Sequence, residues 1–440
     1  MKSAEFARRR KQLMKMMGDD SIAIIPAAPI RARSRDIDHR YRQDSDFYYL
    51  TGFCEPEAVA VLIPGRRGGE FVMFCRENDR ERELWDGSRA GQEGVIRDFA
   101  ADDAFPITDI NDILPGLMEH AQRVYYTMGH YPEFDMQVTE WVNALRGRNI
   151  AGIDAPYQFV ALDHYLHDMR LYKSRQEISQ MRRSAKIAVA AHKRAMRAVR
   201  PGMFEYELEA EYLHEFRRQD SCPSYPAIVG GGDNACVLHY IENSAVLNDG
   251  DLVLVDAGCE TGMYASDLTR TFPVNGRFSP EQRAIYDIVL ESQLAAIDKT
   301  RAGNHWNEPH EAAVRVITKG LKKLGLLDGD LRQLIRDEAY RAFFMHRTGH
   351  WIGIDVHDVG DYKVDDAWRL LETGMVTTVE PGIYIAPNAR VKRCWQGIGV
   401  RIEDDVVVTN GDPDVLSKGL VKEADAIEAW MHRSADSAAA

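Results

Sequence analysis

Apolar positions in the first part of the chain fall into three short runs. These are SIAIIP (21–26), AVAVLIP (58–64) and EFVMFCR (70–76), each flanked by Gly, Pro or charge. Such runs predict buried strands. DINDILPGLMEHA (109–121) and EFDMQVTEWVNALRG (133–147) carry apolar residues at helical spacing instead. Strands mixed with helices predict a compact α/β domain over residues 1–172. A boundary falls at Lys173. Ser174 precedes Glu177 by three residues, ahead of an apolar-periodic run, which is a capping-box pattern. The helix it opens should reach about Val199 and stop before Pro201-Gly202; EYELEAEYLHEFRRQ then predicts a second helix. From about residue 250 the pattern turns to strands, DLVLVDAG (251–258) and MYASDLTRTFPV (263–274). Helices over 280–301 and 308–324 follow, then strands in MVTTVEPGIYI (375–385) and GVRIEDDVVVT (399–409). Helices followed by β-rich segments give residues 173–440 an α+β pattern. The terminal SADSAAA should fray.

Composition narrows the function classes. The chain has 440 residues, 45% hydrophobic and 28% charged, which is a globular composition rather than a disordered or membrane one. A net charge of -13 argues against a nucleic-acid-backbone binder. No apolar core follows the basic N-terminal stretch, so no signal peptide is expected. No run reaches the roughly 18 apolar residues of a membrane span. The basic stretch reads as a solvated first helix with one apolar face, not a membrane-surface helix. The six cysteines are scattered without a C-x-x-C pair, so neither a thiolate zinc site nor a disulfide framework is expected. A reducing cytoplasm is the simplest compartment.

The chemistry lies in acids set among apolar residues. Asp256 ends LVLVD, Asp267 lies in the next strand candidate, Glu380 follows VTTV and precedes Pro381, and Glu403 precedes a run ending VVVT. Carboxylates in such places are costly unless paired or bound to metal. Each has an ordinary alternative. Asp256 can start a turn, Asp267 can pair with Arg270, Glu380 can cap the Pro-Gly turn, and Glu403 can pair with Arg401. Four coincidences are harder to accept than one. The segment MHRTGHWIGIDVHD adds His346, His350 and His357. His346 and His350 have zincin spacing, but Arg347 replaces the required glutamate, and Gly349 and Gly353 weaken a helix. A zincin is therefore rejected. Oxygen-rich ligation with one imidazole suits a hard divalent ion, manganese ahead of zinc or cobalt. Four carboxylates balance two divalent cations. Two metals roughly 3.5–4 Å apart can share a hydroxide and make it a nucleophile near neutral pH.

The segments VLVDAG, YASDLTRTFP, HWIGIDVHD, TVEPGIYI and GVRIEDD resemble, in order and spacing, the five metal-ligand motifs of the pita-bread metallopeptidases. Within them the chain most resembles the Xaa-Pro aminopeptidases, also called aminopeptidase P. YRQDSDFYYLTGFCEPEAV and LWDGSRAG resemble that subgroup too. The resemblance implies a C-terminal pita-bread domain, two similar halves around a curved antiparallel sheet, behind a smaller α/β N-terminal domain. It implies that Asp256 chelates one metal, that Asp267 and Glu403 bridge both, and that His350 and Glu380 complete the other. Glu380 would also be the acid/base. His357 and His239 would hydrogen-bond the substrate carbonyl or the tetrahedral intermediate, and His346 would be a further pocket histidine. Arg401 would join a carboxylate-linked proton network. Asp46 and Trp85 match residues that reach a neighbouring subunit's site in tetrameric relatives, so a homo-oligomer, dimer or tetramer, is implied. One departure is Ser266, where the family usually has Gly beside the ligand Asp267; a modest effect and no loss of metal are expected.

The implied substrates are peptides with proline second. Xaa-Pro dipeptidase, or prolidase, is the nearest rival. Methionine aminopeptidase would leave the first 170 or so residues unexplained. A non-catalytic peptide-binding relative would not need five intact ligands. A two-metal phosphoesterase would want a phosphate cradle, and no P-loop is present.

Overall fold

Ser21–Pro26 alternates no polar residue with its apolar ones, because both of its faces are covered. It lies inside a six-stranded mixed sheet. The order is Asp103–Pro106, Phe71–Cys75, Val59–Leu62, Ser21–Pro26, Arg123–Tyr126, Gln158–Ala161. Val59–Leu62 runs antiparallel to both neighbours, and the other pairs are parallel. Helices Ile110–Met118 and Pro132–Arg146 pack Leu114, Met118, Trp141 and Leu145 against this sheet. The structure, a computed structural model, describes residues 1–148 and 152–432. The SADSAAA tail lies outside the described residues. Two compact units emerge, Met1–Met169 and Arg170–Ala440.

The first helix, Ser3–Met17, departs from the solvated face expected of it. Arg9 and Arg10 are buried with Phe6, Leu13 and Met17. Their guanidiniums donate to the carbonyls of Tyr49 and Leu50, each at 2.9 Å, near the C-terminal end of helix Ser45–Thr51. The last carbonyls of a helix find no i+4 N–H inside it, and here the arginines supply buried donors to that end. Both guanidiniums also lie on aromatic faces, Arg9 at 4.0 Å from the Tyr49 ring centre and Arg10 at 3.9 Å from Phe71. Within the basic run Arg9 and Arg10 form an internal clamp, while Arg8, Lys11 and Lys15 stay on the solvated face.

The second unit opens with the expected capping box. The Ser174 hydroxyl accepts from the Glu177 N–H, and the Glu177 carboxylate accepts from the Ser174 N–H. Helix Arg175–Ala198 follows, then Glu205–Arg218, Pro280–Lys299 and Glu308–Lys323. Their apolar faces cover three antiparallel groups of strands. One is Ile228–Gly231, Leu252–Asp256 and Thr269–Pro273; a second is Val376–Val379, Asp404–Val407 and Asp414–Val415; the third pairs Gly382–Ile385 with Ile398–Arg401. Tyr212, Val253, Phe272, Ile285, Val400 and Ile402 share one core. The α+β architecture with a smaller α/β N-terminal domain is therefore the one the chain adopts.

The strands break where the acids sit. The expected strand over 263–274 begins only at Thr269, leaving Asp267 in the approach to it. The 375–385 run divides into two strands around Glu380-Pro381, and the 399–409 run divides around Ile402-Glu403. Proline lacks the N–H that would continue a ladder at the first break.

A buried ion cluster fixes the loop that carries His357. Asp358 accepts from Arg170 at 2.6 Å and faces the Lys173 ammonium at 2.8 Å. Its N–H donates to the Trp351 carbonyl at 2.9 Å. Burial opposes its charge, but Lys173 and Arg170 hold its carboxyl below the ordinary carboxylate range. The folded pKa is depressed, so this stabilisation is complete above the unfolded value of about 4. It is lost as pH falls from there through the folded value. Asp358→Asn is expected to cost about 3–5 kcal/mol at pH 7, because buried Lys173 loses its counter-charge and Arg170, which keeps Asp355, loses a second carboxylate. The urea midpoint measures this. The gap to the parent protein should narrow below about pH 4.

Candidate metal centre

Three strand ends and one loop deliver carboxylates and an imidazole into one cavity of about 590 Å³. Its lining includes Asp256, Asp267, His350, Glu380 and Glu403, together with His239, His346, His357 and Arg401. Among the described residues, donor atoms of Asp267, His350 and Glu403 lie within 4.8 Å of one another. His350 Nε2 stands 3.3 Å from Asp267 and 3.7 Å from Glu380. Its Nδ1 donates to the Trp351 carbonyl at 2.9 Å, which turns Nε2 toward the acids. Asp46 and Trp85 belong to the first unit. Asp46 opens helix Ser45–Thr51 with its carboxylate 3.8 Å from His167, and Trp85 stands 87% exposed on helix Arg80–Asp86.

The electrostatics are those of crowded acids in a dry site. Burial, then the charge of Asp267, raises Asp256 above the ordinary range. Burial raises Glu380 to about 7, against the pull of His350 and Arg401. Burial and the charges of Asp267 and Glu380 push Glu403 well up. Asp267 goes the other way. Burial opposes its charge, but His350 and Tyr225 hold it down. For His350 burial works toward the neutral form, yet Asp267 and Glu380 raise it to about 9. Such a set pays heavily for its charges unless cations enter among them. Four carboxylates and one imidazole are a donor set that suits divalent ions.

Hydrogen bonds hold these groups in place, and several of the partners carry no sequence signal. Tyr225 donates one hydroxyl shared by Asp256 at 2.6 Å and Asp267 at 2.5 Å. Arg401 donates to Asp256 at 2.7 Å, to Tyr384 at 2.9 Å and to Thr269 at 3.2 Å. Thr269 passes its own proton to Glu403 at 2.6 Å. Tyr384 donates to His346 Nε2 at 2.9 Å, while His346 Nδ1 donates to the Arg347 carbonyl at 2.7 Å. Burial lowers His346 to about 4, so it is neutral in this chain. Burial likewise lowers His357, whose ring meets His350 edge-on at 4.3 Å. Alternation offered the one available hint, since Thr269 lies two residues from Asp267, as Arg401 does from Glu403.

His192 ties two ligand segments together. Its Nε2 lies 3.1 Å from the carbonyl of Ala257 and 3.1 Å from that of Leu268, so that nitrogen carries the proton. Those residues follow Asp256 and Asp267. Tyr212 donates to Nδ1 at 3.0 Å, and burial lowers the ring to about 3. Asp405, directly behind the site, accepts the Asp267 N–H at 3.1 Å.

The glycines and Ser266 show how tightly this is packed. A Cβ at Gly349 would strike the Thr378 carbonyl, and one at Gly353 would strike Asp358. Both sit in an irregular segment rather than a helix. Ser266 is fully buried without crowding the site. Its hydroxyl accepts from the Cys259 N–H at 3.1 Å and donates to the Cys259 carbonyl at 3.0 Å.

Comparison with known proteins gives the family. Residues 179–410 match metallopeptidase family M24, and residues 6–125 match the N-terminal domain of aminopeptidase P. The chain is 47% identical to the Xaa-Pro aminopeptidase of Escherichia coli over 97% of both chains. It superposes on the Pseudomonas aeruginosa aminopeptidase PepP with a TM-score of 0.97, at 60% identity and 98% coverage of both chains. A zinc-substituted Escherichia coli aminopeptidase P in complex with product gives a TM-score of 0.96 at 47% identity, again over 98% of both chains. The chain belongs to metallopeptidase family M24 and, within it, to the Xaa-Pro aminopeptidases.

Proposed function

We propose that this protein is a dinuclear-metal aminopeptidase that removes the first residue from peptides with proline second. The observation that carries the reading is the buried cluster of Asp256, Asp267, His350, Glu380 and Glu403 in a cavity open to a peptide. Asp267 and Glu403 would serve both ions, with Asp256 on one and His350 and Glu380 on the other. The oxygen-rich set favours manganese, with zinc or cobalt as substitutes. Bound there, the ions supply an activated water and Lewis acidity toward the peptide carbonyl.

The chain's own groups do the rest. Glu380, which lines the cavity, would take up a proton and pass it on. His357 and His239 border the cavity as donors for oxygen charge that develops on the scissile carbonyl. His346, neutral and held by Tyr384, borders the same space. Arg401 fixes Asp256 and, through Thr269, Glu403. Tyr225 keeps the carboxylates of Asp256 and Asp267 in register. Asp46 and Trp85 would complete the site across a homo-oligomer. No described helix is long and apolar enough to cross a membrane.

The test is incubation of manganese-loaded protein with Arg-Pro-Pro and Gly-Pro. Tripeptide cleavage with little dipeptide cleavage is expected; the reverse would make it a dipeptidase. Chelation should abolish turnover and lower Tm, and added manganese should restore both.

Asp267→Ala and Glu403→Ala are each expected to lose turnover and bound metal together, read by elemental analysis. His357→Ala should keep metal and lose about 10²-fold or more in kcat. Tyr225→Phe should weaken metal binding by about 10- to 100-fold, the range for removing a partner that orients a ligand.

A further inference from the structure

The cavity gathers four carboxylates, and its lining also carries two cations, Arg401, which pairs with Asp256, and Arg347. Arg347 lines the cavity, and so does Trp368. The Arg347 guanidinium sits 4.8 Å from the centre of the Trp368 ring. One of its nitrogens donates to the Asn307 side chain, which in turn donates to Glu311. These two contacts hold a flexible side chain in one place. Among the described residues no carboxylate lies within ion-pair distance of Arg347; its nearest anchor is the neutral amide of Asn307. The Lys363 ammonium sits 4.7 Å from the same Trp368 ring and adds to the positive potential of this rim.

The cavity is therefore polarised. Its floor is acidic and its Arg347 rim is basic. A peptide entering it carries an ammonium at one end and a carboxylate at the other. The ammonium is attracted to the floor and repelled by Arg347; the carboxylate is treated the opposite way. A planar guanidinium with free N–H donors, pre-ordered on an aromatic face, is built to take a carboxylate by two parallel hydrogen bonds. We propose that Arg347 is a specificity residue that binds a substrate carboxylate on the C-terminal side of the scissile bond. In a tripeptide that carboxylate is the chain terminus; in a longer peptide it is an acidic side chain. This rests on the peptidase reading above and deepens it, by assigning short or acidic peptides as the favoured substrates.

The experiment compares Ala-Pro-Ala, its C-terminal amide, and Ala-Pro-Asp amide on the manganese-loaded protein. The free acid is expected to exceed the plain amide in kcat/KM by roughly five- to tenfold at low salt. The difference should lie in KM, as for binding shared by ground and transition states. It should shrink as salt is raised. Ala-Pro-Asp amide matching the free acid would extend the preference to side-chain carboxylates; matching the plain amide would confine it to the terminus. Both results support the assignment. Arg347→Met should bring the acid-to-amide ratio close to one, and Arg347→Lys should keep part of it. Arg336→Met, which removes an exposed charge elsewhere, should leave the full ratio. Equal kcat/KM for all three peptides in the parent protein, or a ratio that survives Arg347→Met, would overturn the proposal. Cleavage of none of the three would instead overturn the peptidase reading beneath it.

Discussion

Mutual repulsion among buried carboxylates is the constraint around which this molecule is arranged. Asp256, Asp267, Glu380 and Glu403 share a buried space, where desolvation and the charges of neighbouring acids raise the cost of ionising Asp256, Glu380 and Glu403. A fold that brings such groups together must restrain them by other bonds. Tyr225, Thr269 and Arg401 do so from the side chains. His192 does so through the backbone, by holding the carbonyls that follow two of the acids. The core of helices and strands beneath supplies the rigidity these bonds require.

Strand interruptions are the second device. Glu380 and Glu403 stand where one antiparallel pair ends and the next begins. In the middle of a ladder their neighbours would alternate strictly between faces. At a break the chain can turn a single side chain into the cavity while apolar residues on both sides remain in the core. Gly349 and Gly353 perform the same service for the histidine segment, where any Cβ would collide with backbone or with Asp358.

Much of this was readable in the chain. Acids embedded in apolar runs gave Asp256, Asp267, Glu380 and Glu403, and the clustered histidines gave His350, because burial makes such residues conspicuous. The capping box at Ser174 located the start of the second unit's first long helix, since its chemistry is local. The strand breaks were not readable, because VTTVEPGIYI and GVRIEDDVVV each look continuous and only tertiary pairing divides them. Tyr225, His192 and Tyr384 were invisible for a related reason. They act through contacts with residues far along the chain, and nothing in their own neighbourhoods distinguishes them from core residues. Arg9 and Arg10 misled for the converse reason: charge suggested solvent, and their partners, the carbonyls of Tyr49 and Leu50, lie 40 positions away.

The bond pair made by His192 has a bearing on ion exchange. Its imidazole joins a long helix to two ligand-bearing segments through hydrogen bonds of the polypeptide itself. The polypeptide thus contributes to the spacing of those segments. Segments braced from behind in this way would keep their spacing while one divalent ion is traded for another.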